Sequence, residues 1–213
     1  MRDEIRKRFD SAVLWIFRRL RYAVFPLDIA EVARREKCGV ISYEELAQEN
    51  GECYEDVVKA FGNAGACSWY DQGLAKYMIA VNTSERYGAS RARQRWMIAH
   101  ELGHVMAGHL FEADEEGKRA TRSTELKKWD DEANYFAASV LAPIPAIRAL
   151  RAKRPADIRD WFGLSQRAAK YRWADLQRET VDEELADYFW CFTPWSTVKD
   201  WRRASEGGYM DRE

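Results

Sequence analysis

The chain has 213 residues, of which 46% are hydrophobic and 13% aromatic, enough apolar side chain to bury a substantial core. This composition excludes an intrinsically disordered protein. The 34 basic and 35 acidic residues leave a formal net charge of -1, so overall charge favours neither a nucleic-acid partner nor an anionic membrane. No C-x-x-C pair occurs, and we expect reduced, buried thiols in a cytoplasmic protein at Cys38, Cys53, Cys67 and Cys191.

The amino-terminal region predicts an amphipathic helix over residues 3–24. Its apolar run SAVLWIF is interrupted by Arg18 and Arg19, and no small-residue cleavage site follows, so it is neither a signal peptide nor a membrane span. A basic helix lying on a membrane surface is the alternative. We expect six apolar side chains to pack against the rest of the fold: Val13, Leu14, Ile16, Phe17, Leu20 and Phe25.

The next segments alternate between helical and extended patterns. Helical spacing predicts a helix over 27–37 with Asp28 near its start, a short strand over 39–43, and a second helix over 44–62. Two strands, 66–70 and 76–82, are joined by the turn-type sequence Asp71-Gln72-Gly73 and predict a hairpin.

The second strand of this hairpin directly precedes the segment that holds the histidines. It could form an exposed edge that pairs with an extended peptide by backbone hydrogen bonds, and an ordinary structural hairpin is an equal alternative. The candidate substrate-binding residues on this edge are Lys76, Tyr77, Met78 and Ile79.

Residues 100–104 form an H-E-x-x-H pentad within a mostly apolar helical segment. In a helix, His100 and His104 share one face roughly 6 Å apart, close enough to bind one metal ion. Glu101 lies beside that face, where it can accept a proton from a metal-bound water without being a ligand. An inert pair of core histidines is the alternative, but unpartnered polar groups in such a helix would be costly.

The third histidine, His109, follows His104 by five positions. On a continuous helix it points away from the other two, so it joins the same ion only if the helix ends at Gly108. We expect a polar residue at the end of the helix, with Gly108 as the terminator. A metzincin is excluded because position 110, ten after His100, is leucine.

Residues 112–128 are almost wholly polar and predict a solvated connection, and a helix over 129–141 follows, stopped by Pro143 and Pro145. A hydrolytic zinc site needs a third protein ligand and suits a carboxylate from such a helix. Asp130 and Asn134 share a helix face, so Asn134 could hydrogen-bond a ligating imidazole below the carboxylate.

The segment Ala99–His104, followed by Glu132–Ala138 and Leu141–Pro143, resembles the ImmA/IrrE family of zinc metallopeptidases. The resemblance covers about residues 24–180 and extends to Pro26–Ala30, Val40–Leu46, Ile79–Asn82 and Arg95–Ile98. It implies an α+β, mainly helical, zincin-like domain with a small antiparallel sheet and a C-terminal helical extension. It also implies a narrow protein substrate, a helix-turn-helix repressor of the XRE type.

One position departs from the family pattern. The family commonly has E-x-x-A-N, with its glutamate as the third ligand, and Asp130 holds that place here. Glu132 is the alternate ligand, although it does not share the helix face of Asn134.

Two short helices around Gly163, within 158–176, have a helix-turn-helix shape and basic residues on the second helix. DNA reading is conceivable, but Trp161, Phe162, Ala169 and Trp173 indicate packing. The aromatic-rich stretch 181–213 predicts a helical cover or a docking surface. The expected division is an N-terminal helix (1–25), a metallopeptidase domain (26–150), a helical extension (151–180) and a tail (181–213).

These patterns predict a zinc-dependent endopeptidase in which His100, His104 and Asp130 hold the ion and Glu101 is the general base. Zinc is the natural metal, although manganese and iron can use the same ligands. The alternative is a non-catalytic, metal-bound transcriptional regulator, or an antitoxin-type binding protein, on the same fold.

Overall fold

The computed structural model describes residues 3–20, 24–61, 65–85, 90–110 and 123–178, with the backbone alone for Asp3 and for 123–126. The predictions for Cys191, for residues 112–122 and for the tail 181–213 lie outside the described residues. None of the helices in the described ranges is long and apolar enough to cross a membrane.

Helices dominate the described ranges, and a small sheet accompanies them, which confirms the predicted α+β class. The strands are β1 (Cys38–Ser42), β2 (Ala66–Asp71) and β3 (Lys76–Val81). The helices are α1 (Asp3–Arg19), α2 (Ile29–Arg35), α3 (Tyr43–Asn50), α4 (Tyr54–Ala60), α5 (Arg91–Ala107), α6 (Ser123–Leu141), α7 (Ile144–Ala149), α8 (Pro155–Phe162) and α9 (Gln166–Leu176).

The chain divides into two compact units. The first contains Met1–Ile5 and Asp28–Ala137, and the second contains Arg6–Leu27 and Ala138–Glu213. The grouping of an N-terminal segment with the C-terminal part was not foreseen from the sequence. The domain limits expected from the sequence stay a prediction.

The sheet has the order β1-β3-β2. β2 and β3 are antiparallel, with Ala66 opposite Val81 and Asp71 opposite Lys76, which confirms the predicted hairpin. β1 pairs in parallel with the other side of β3, so the sheet is mixed rather than purely antiparallel. A parallel pair needs a long crossover, and α3 and α4 supply it between β1 and the hairpin.

The position of β3 corrects one prediction. Lys76, Tyr77, Met78 and Ile79 were expected on an exposed edge, but β3 is the central strand and its backbone bonds to strands on both sides. Within the described residues, β1 and β2 are the outer strands. Any edge that a peptide could extend is therefore on β2 or β1.

The predicted helix over 44–62 is in fact two helices, α3 and α4. α3 begins with a capping box, in which Ser42 N–H donates to Glu45 Oε2 at 2.7 Å and Glu45 N–H donates to Ser42 Oγ at 3.1 Å. It ends at Gly51, whose φ of 67° is left-handed and suits a residue without a side chain. This glycine, not tertiary packing, accounts for the break.

Two other helix limits differ from the predictions. α1 ends at Arg19 rather than at residue 24, and α6 begins at Ser123 rather than at Trp129. The end of the polar stretch is thus helical, because charged residues on an exposed face do not interrupt a helix. All six apolar side chains expected to pack from the N-terminal region are buried, as predicted.

The core of the first unit lies on the sheet. Tyr43, Val57 and Ala80 belong to a buried cluster between the sheet and the α3–α4 pair, and α5 packs against β2 and β3. α2 packs against both α5 and β1, with Asp28 as its N-cap. α5 is therefore held by the sheet and by α2.

In the second unit, α8 and α9 pack together around Gly163, whose φ is 61°. Phe162 and Ala169 are buried, as the packing interpretation predicted, whereas Trp161 and Trp173 are half-buried. Arg172 is also buried, and its Nε donates to the Ala142 carbonyl at 2.9 Å. This basic residue of α9 serves the fold.

The expectation that the cysteines are buried is wrong for one of them. Cys38 is buried and Cys67 half-buried, but Cys53 is exposed at the start of α4. Burial, aided by the charge of Glu36, raises the pKa of the Cys38 thiol to about 11.

We predict that iodoacetamide at pH 7.5 alkylates Cys53 in the folded protein and spares Cys38. The reactive species is the thiolate, and a pKa of about 11 leaves less than about one in a thousand Cys38 side chains in that form. Peptide mass spectrometry measures both sites. Equal labelling in the native protein, rather than only after denaturation, would contradict the burial of Cys38.

Candidate metal centre

α5 holds His100 and His104 on one face. The helix starts at the N-cap Ser90, whose Oγ accepts from Arg93 N–H at 3.3 Å, and it runs without interruption to Ala107. The two Nε2 atoms lie 3.1 Å apart. His104 is buried and His100 half-buried, so the pair opens toward one side.

Asp130 on α6 completes a group of three ligand atoms. Its Oδ1 lies 3.8 Å from His100 Nε2 and 3.4 Å from His104 Nε2. Ligand atoms at ordinary zinc distances are about 3.4 Å apart in a tetrahedral site, so the three separations fit such an ion. Among the described residues, this is the group of His, Cys, Asp or Glu side chains that could hold a metal.

Glu132, the alternate third ligand, does not belong to this group. Its carboxylate instead contacts His109 and Lys128, through Oε2 at 3.1 Å and Oε1 at 3.6 Å respectively. The geometry therefore favours Asp130 as the third ligand. The ligand roles themselves stay predictions.

Gly103 allows α6 to approach this close to α5. A Cβ at Gly103 would lie 3.1 Å from Ala133 Cα, 3.2 Å from the Ala133 carbonyl oxygen and 3.2 Å from Phe136 Cδ1. Two of these atoms are backbone or directly attached to it, so they cannot move aside without shifting α6. The glycine in the pentad thus fixes the distance between the helices that carry the three ligand atoms.

Asn134 contacts the second nitrogen of His100. Its Oδ1 lies 3.1 Å from His100 Nδ1 and can only accept, so the His100 proton is on Nδ1 and the lone pair is on Nε2, toward Asp130. This is the contact that the sequence predicted for Asn134. A ligating imidazole needs this tautomer.

His109 contacts the second nitrogen of His104, at 2.9 Å between the Nδ1 atoms. α5 ends at Ala107, and Gly108 adopts a φ of 75°, so the prediction of a glycine terminator is confirmed. The sequence did not predict that the His109 side chain would be buried and would touch both His104 and Glu132.

Glu101 is buried beside the histidines, 4% exposed, and accepts a hydrogen bond from Ser68 Oγ to its Oε2 at 2.5 Å. Ser68 is itself buried on β2. Sequence reasoning missed Ser68, because a serine in a strand 33 positions before its partner carries no local signal.

Two further groups set the electrostatics near α5. Burial raises the pKa of Tyr43 far above its usual range, and the charges of Cys67 and Glu101 raise it further, so Tyr43 stays protonated. Burial, together with Arg91, lowers the pKa of Arg95 to about 10, which still leaves this guanidinium charged at neutral pH.

The model of a known family, the IrrE N-terminal-like domain of peptidase family M78, matches residues 57–174. The chain belongs to this family. The matched segment covers more than half of the chain and includes β2, β3, α5 and α6, with all three ligand atoms. Membership in peptidase family M78 confirms the resemblance to ImmA/IrrE proteins and indicates a metallopeptidase. No curated protein matches the chain.

We predict that Gly103→Ala destabilises the protein by about 1–3 kcal/mol, the usual cost of overpacking, because the methyl group meets the α6 backbone. The gain in helix propensity, about 1 kcal/mol, does not offset this. Urea unfolding of the metal-free protein measures it. Gly73→Ala is the control, since its Cβ would meet one side-chain oxygen at 3.4 Å. Equal stability of the two variants would contradict the close approach.

We predict that Asp130→Ala weakens zinc binding by more than the roughly 10- to 100-fold typical of outer-shell partners, because it removes a ligand. Asp131→Ala is a matched control, since both carboxylates are exposed on consecutive positions of α6. Competition with a chromogenic chelator measures both affinities. A loss of affinity in Asp131→Ala as large as that in Asp130→Ala would contradict the assignment.

Proposed function

We propose that the protein is a zinc-dependent endopeptidase that hydrolyses a peptide bond in a regulatory protein. One observation carries this proposal: three ligand atoms converge within 4.8 Å, and the buried carboxylate of Glu101 follows the first of them directly in α5. A purely structural metal site has no use for a base at that position.

The division of roles follows from the contacts. A zinc ion held by His100, His104 and Asp130 supplies Lewis-acid chemistry, which activates water and polarises the scissile carbonyl. Glu101 accepts a proton from the attacking water and passes it to the leaving amine. Ser68 donates to Oε2 of Glu101 and so fixes the orientation of the carboxylate. Asn134 holds His100 in the tautomer that binds metal.

We place the substrate along β2 rather than β3. β2 is an outer strand of the sheet in the described part of the chain, it packs against α5, and its Ser68 contacts Glu101. An extended peptide that adds to this edge by backbone hydrogen bonds passes beside the proposed base.

The substrate class we propose is a helix-turn-helix repressor of the XRE type in the same cytoplasm, as the family resemblance implies. We do not propose DNA as a partner of α8 and α9, because Arg172 of α9 is buried against Ala142. The non-catalytic alternatives, a metal-bound regulator or an antitoxin-type protein, would leave the buried Glu101 without a role.

We predict that Glu101→Gln binds zinc like the unaltered protein but cleaves its substrate at least about 100-fold more slowly, since proton transfer by a side chain contributes about 10²- to 10⁴-fold. The assay is cleavage of the XRE-type repressor encoded beside the gene, followed by electrophoresis and mass spectrometry. Glu49→Gln is the control, because Glu49 is exposed on α3. If Glu101→Gln still relieves repression in cells, proteolysis is not the mechanism.

A further inference from the structure

We infer that His109 and Glu132 are positioning residues that hold His104 in its metal-binding tautomer. The inference rests on the proposed metal site. It assigns a role to the one histidine that the proposed mechanism does not use, and to the carboxylate that lies outside the ligand group.

The end of α5 brings His109 to this position. Gly108 N–H donates to the Val105 carbonyl at 3.0 Å, and His109 N–H donates to the His104 carbonyl at 3.1 Å. Together with the left-handed Gly108, these two bonds form a Schellman motif, which reverses the chain at the helix end. His109 therefore lies beside His104 although a continuous helix would turn it away.

The contacts determine where the protons are. Glu132 Oε2, 3.1 Å from His109 Nε2, is a carboxylate oxygen that accepts, so His109 carries its proton on Nε2. A neutral His109 then has a lone pair on Nδ1, which accepts from His104 Nδ1 at 2.9 Å. His104 is thus protonated on Nδ1, and its Nε2 lone pair is directed toward His100 Nε2 and Asp130.

Burial makes this chain of hydrogen bonds rigid. His104, His109 and Glu132 are only 3%, 5% and 6% exposed, and polar groups at such depth are costly unless they are paired. The ring of Trp129 stacks on His109, with centroids 5.2 Å apart and planes 14° apart. Lys128 Nζ, 3.6 Å from Glu132 Oε1, offsets the buried negative charge.

The two histidines of the pentad are therefore oriented by different partners. His100 is held directly by an amide, whereas His104 is held by a carboxylate that acts through a second imidazole. A carboxylate partner raises the basicity of a ligating histidine more than a neutral amide does. Asp130, Glu132 and Asn134 all lie on α6, so this helix supplies one ligand atom and both orienting groups.

The test is zinc affinity, measured by competition with a chelator and without substrate. We predict that His109→Phe, which keeps a ring against Trp129 but removes both hydrogen bonds, lowers the affinity by roughly 10- to 100-fold. His109→Asn places an amide oxygen near the former Nδ1 and should recover part of the loss. Trp129→Phe is the control, since it changes the stacking partner and no hydrogen bond in the chain, and it should keep the original affinity.

A double-mutant cycle separates positioning from general stability. Glu132→Leu should weaken zinc binding as well, and the variant with both His109→Phe and Glu132→Leu should be little worse than either alone, because both act through His104. The stability of the metal-free variants is measured in urea beside the affinities. Zinc affinities that follow those stabilities, or losses that simply add, would overturn the inference.

The outcomes also separate this inference from the proposed function. If the unaltered protein binds zinc and His109→Phe binds it equally well, only the positioning role fails. If the affinities change as predicted but Glu101→Gln still cleaves, only the peptidase mechanism fails. An unaltered protein that takes up no zinc overturns both.

Discussion

The close approach of α5 and α6 at Gly103 is the constraint on which the metal centre depends. Two ligand atoms come from α5 and the third from α6, and aspartate has a short side chain. A Cβ at Gly103 would meet the backbone of Ala133 at 3.1 Å, so a larger residue would push α6 away. The same contact brings Asn134 to His100 and Glu132 to His109. The glycine of the pentad is therefore as important to the site as its histidines.

A second requirement is that the polar groups of this region be paired. Glu101, His104, His109 and Glu132 are all buried, and each has a hydrogen-bond partner within the first unit. Ser68 on β2 binds Glu101, and α6 provides the partners of the histidines. Because these contacts join a strand and two helices, the site and the fold stabilise one another. This arrangement also explains how a mostly apolar helix can carry two histidines and a glutamate.

The mixed sheet determines which surface a peptide can reach. β1 covers one side of β3 and β2 covers the other, so β3 has no open backbone edge. β2 is the strand that contacts both α5 and Glu101, through Ser68. Under the proposed function, the strand that orients the base is also the strand beside which the substrate lies, and recognition and catalysis share one element.

The sequence by itself determined the features that depend on local spacing. The pentad put two histidines on one helix face, Gly108 ended that helix, and the turn at Asp71 to Gly73 made a hairpin. The shared face of Asp130 and Asn134 also followed from helical periodicity, and Gly51 was a local signal for the break in the predicted helix over 44–62 that the interpretation overlooked. Only the tertiary structure decided that β1 adds in parallel to β3, that Ser68 meets Glu101, and that Glu132 binds His109 rather than the ligand group. These contacts join residues far apart in the chain, and no periodic pattern relates such residues before the helices and the sheet have packed.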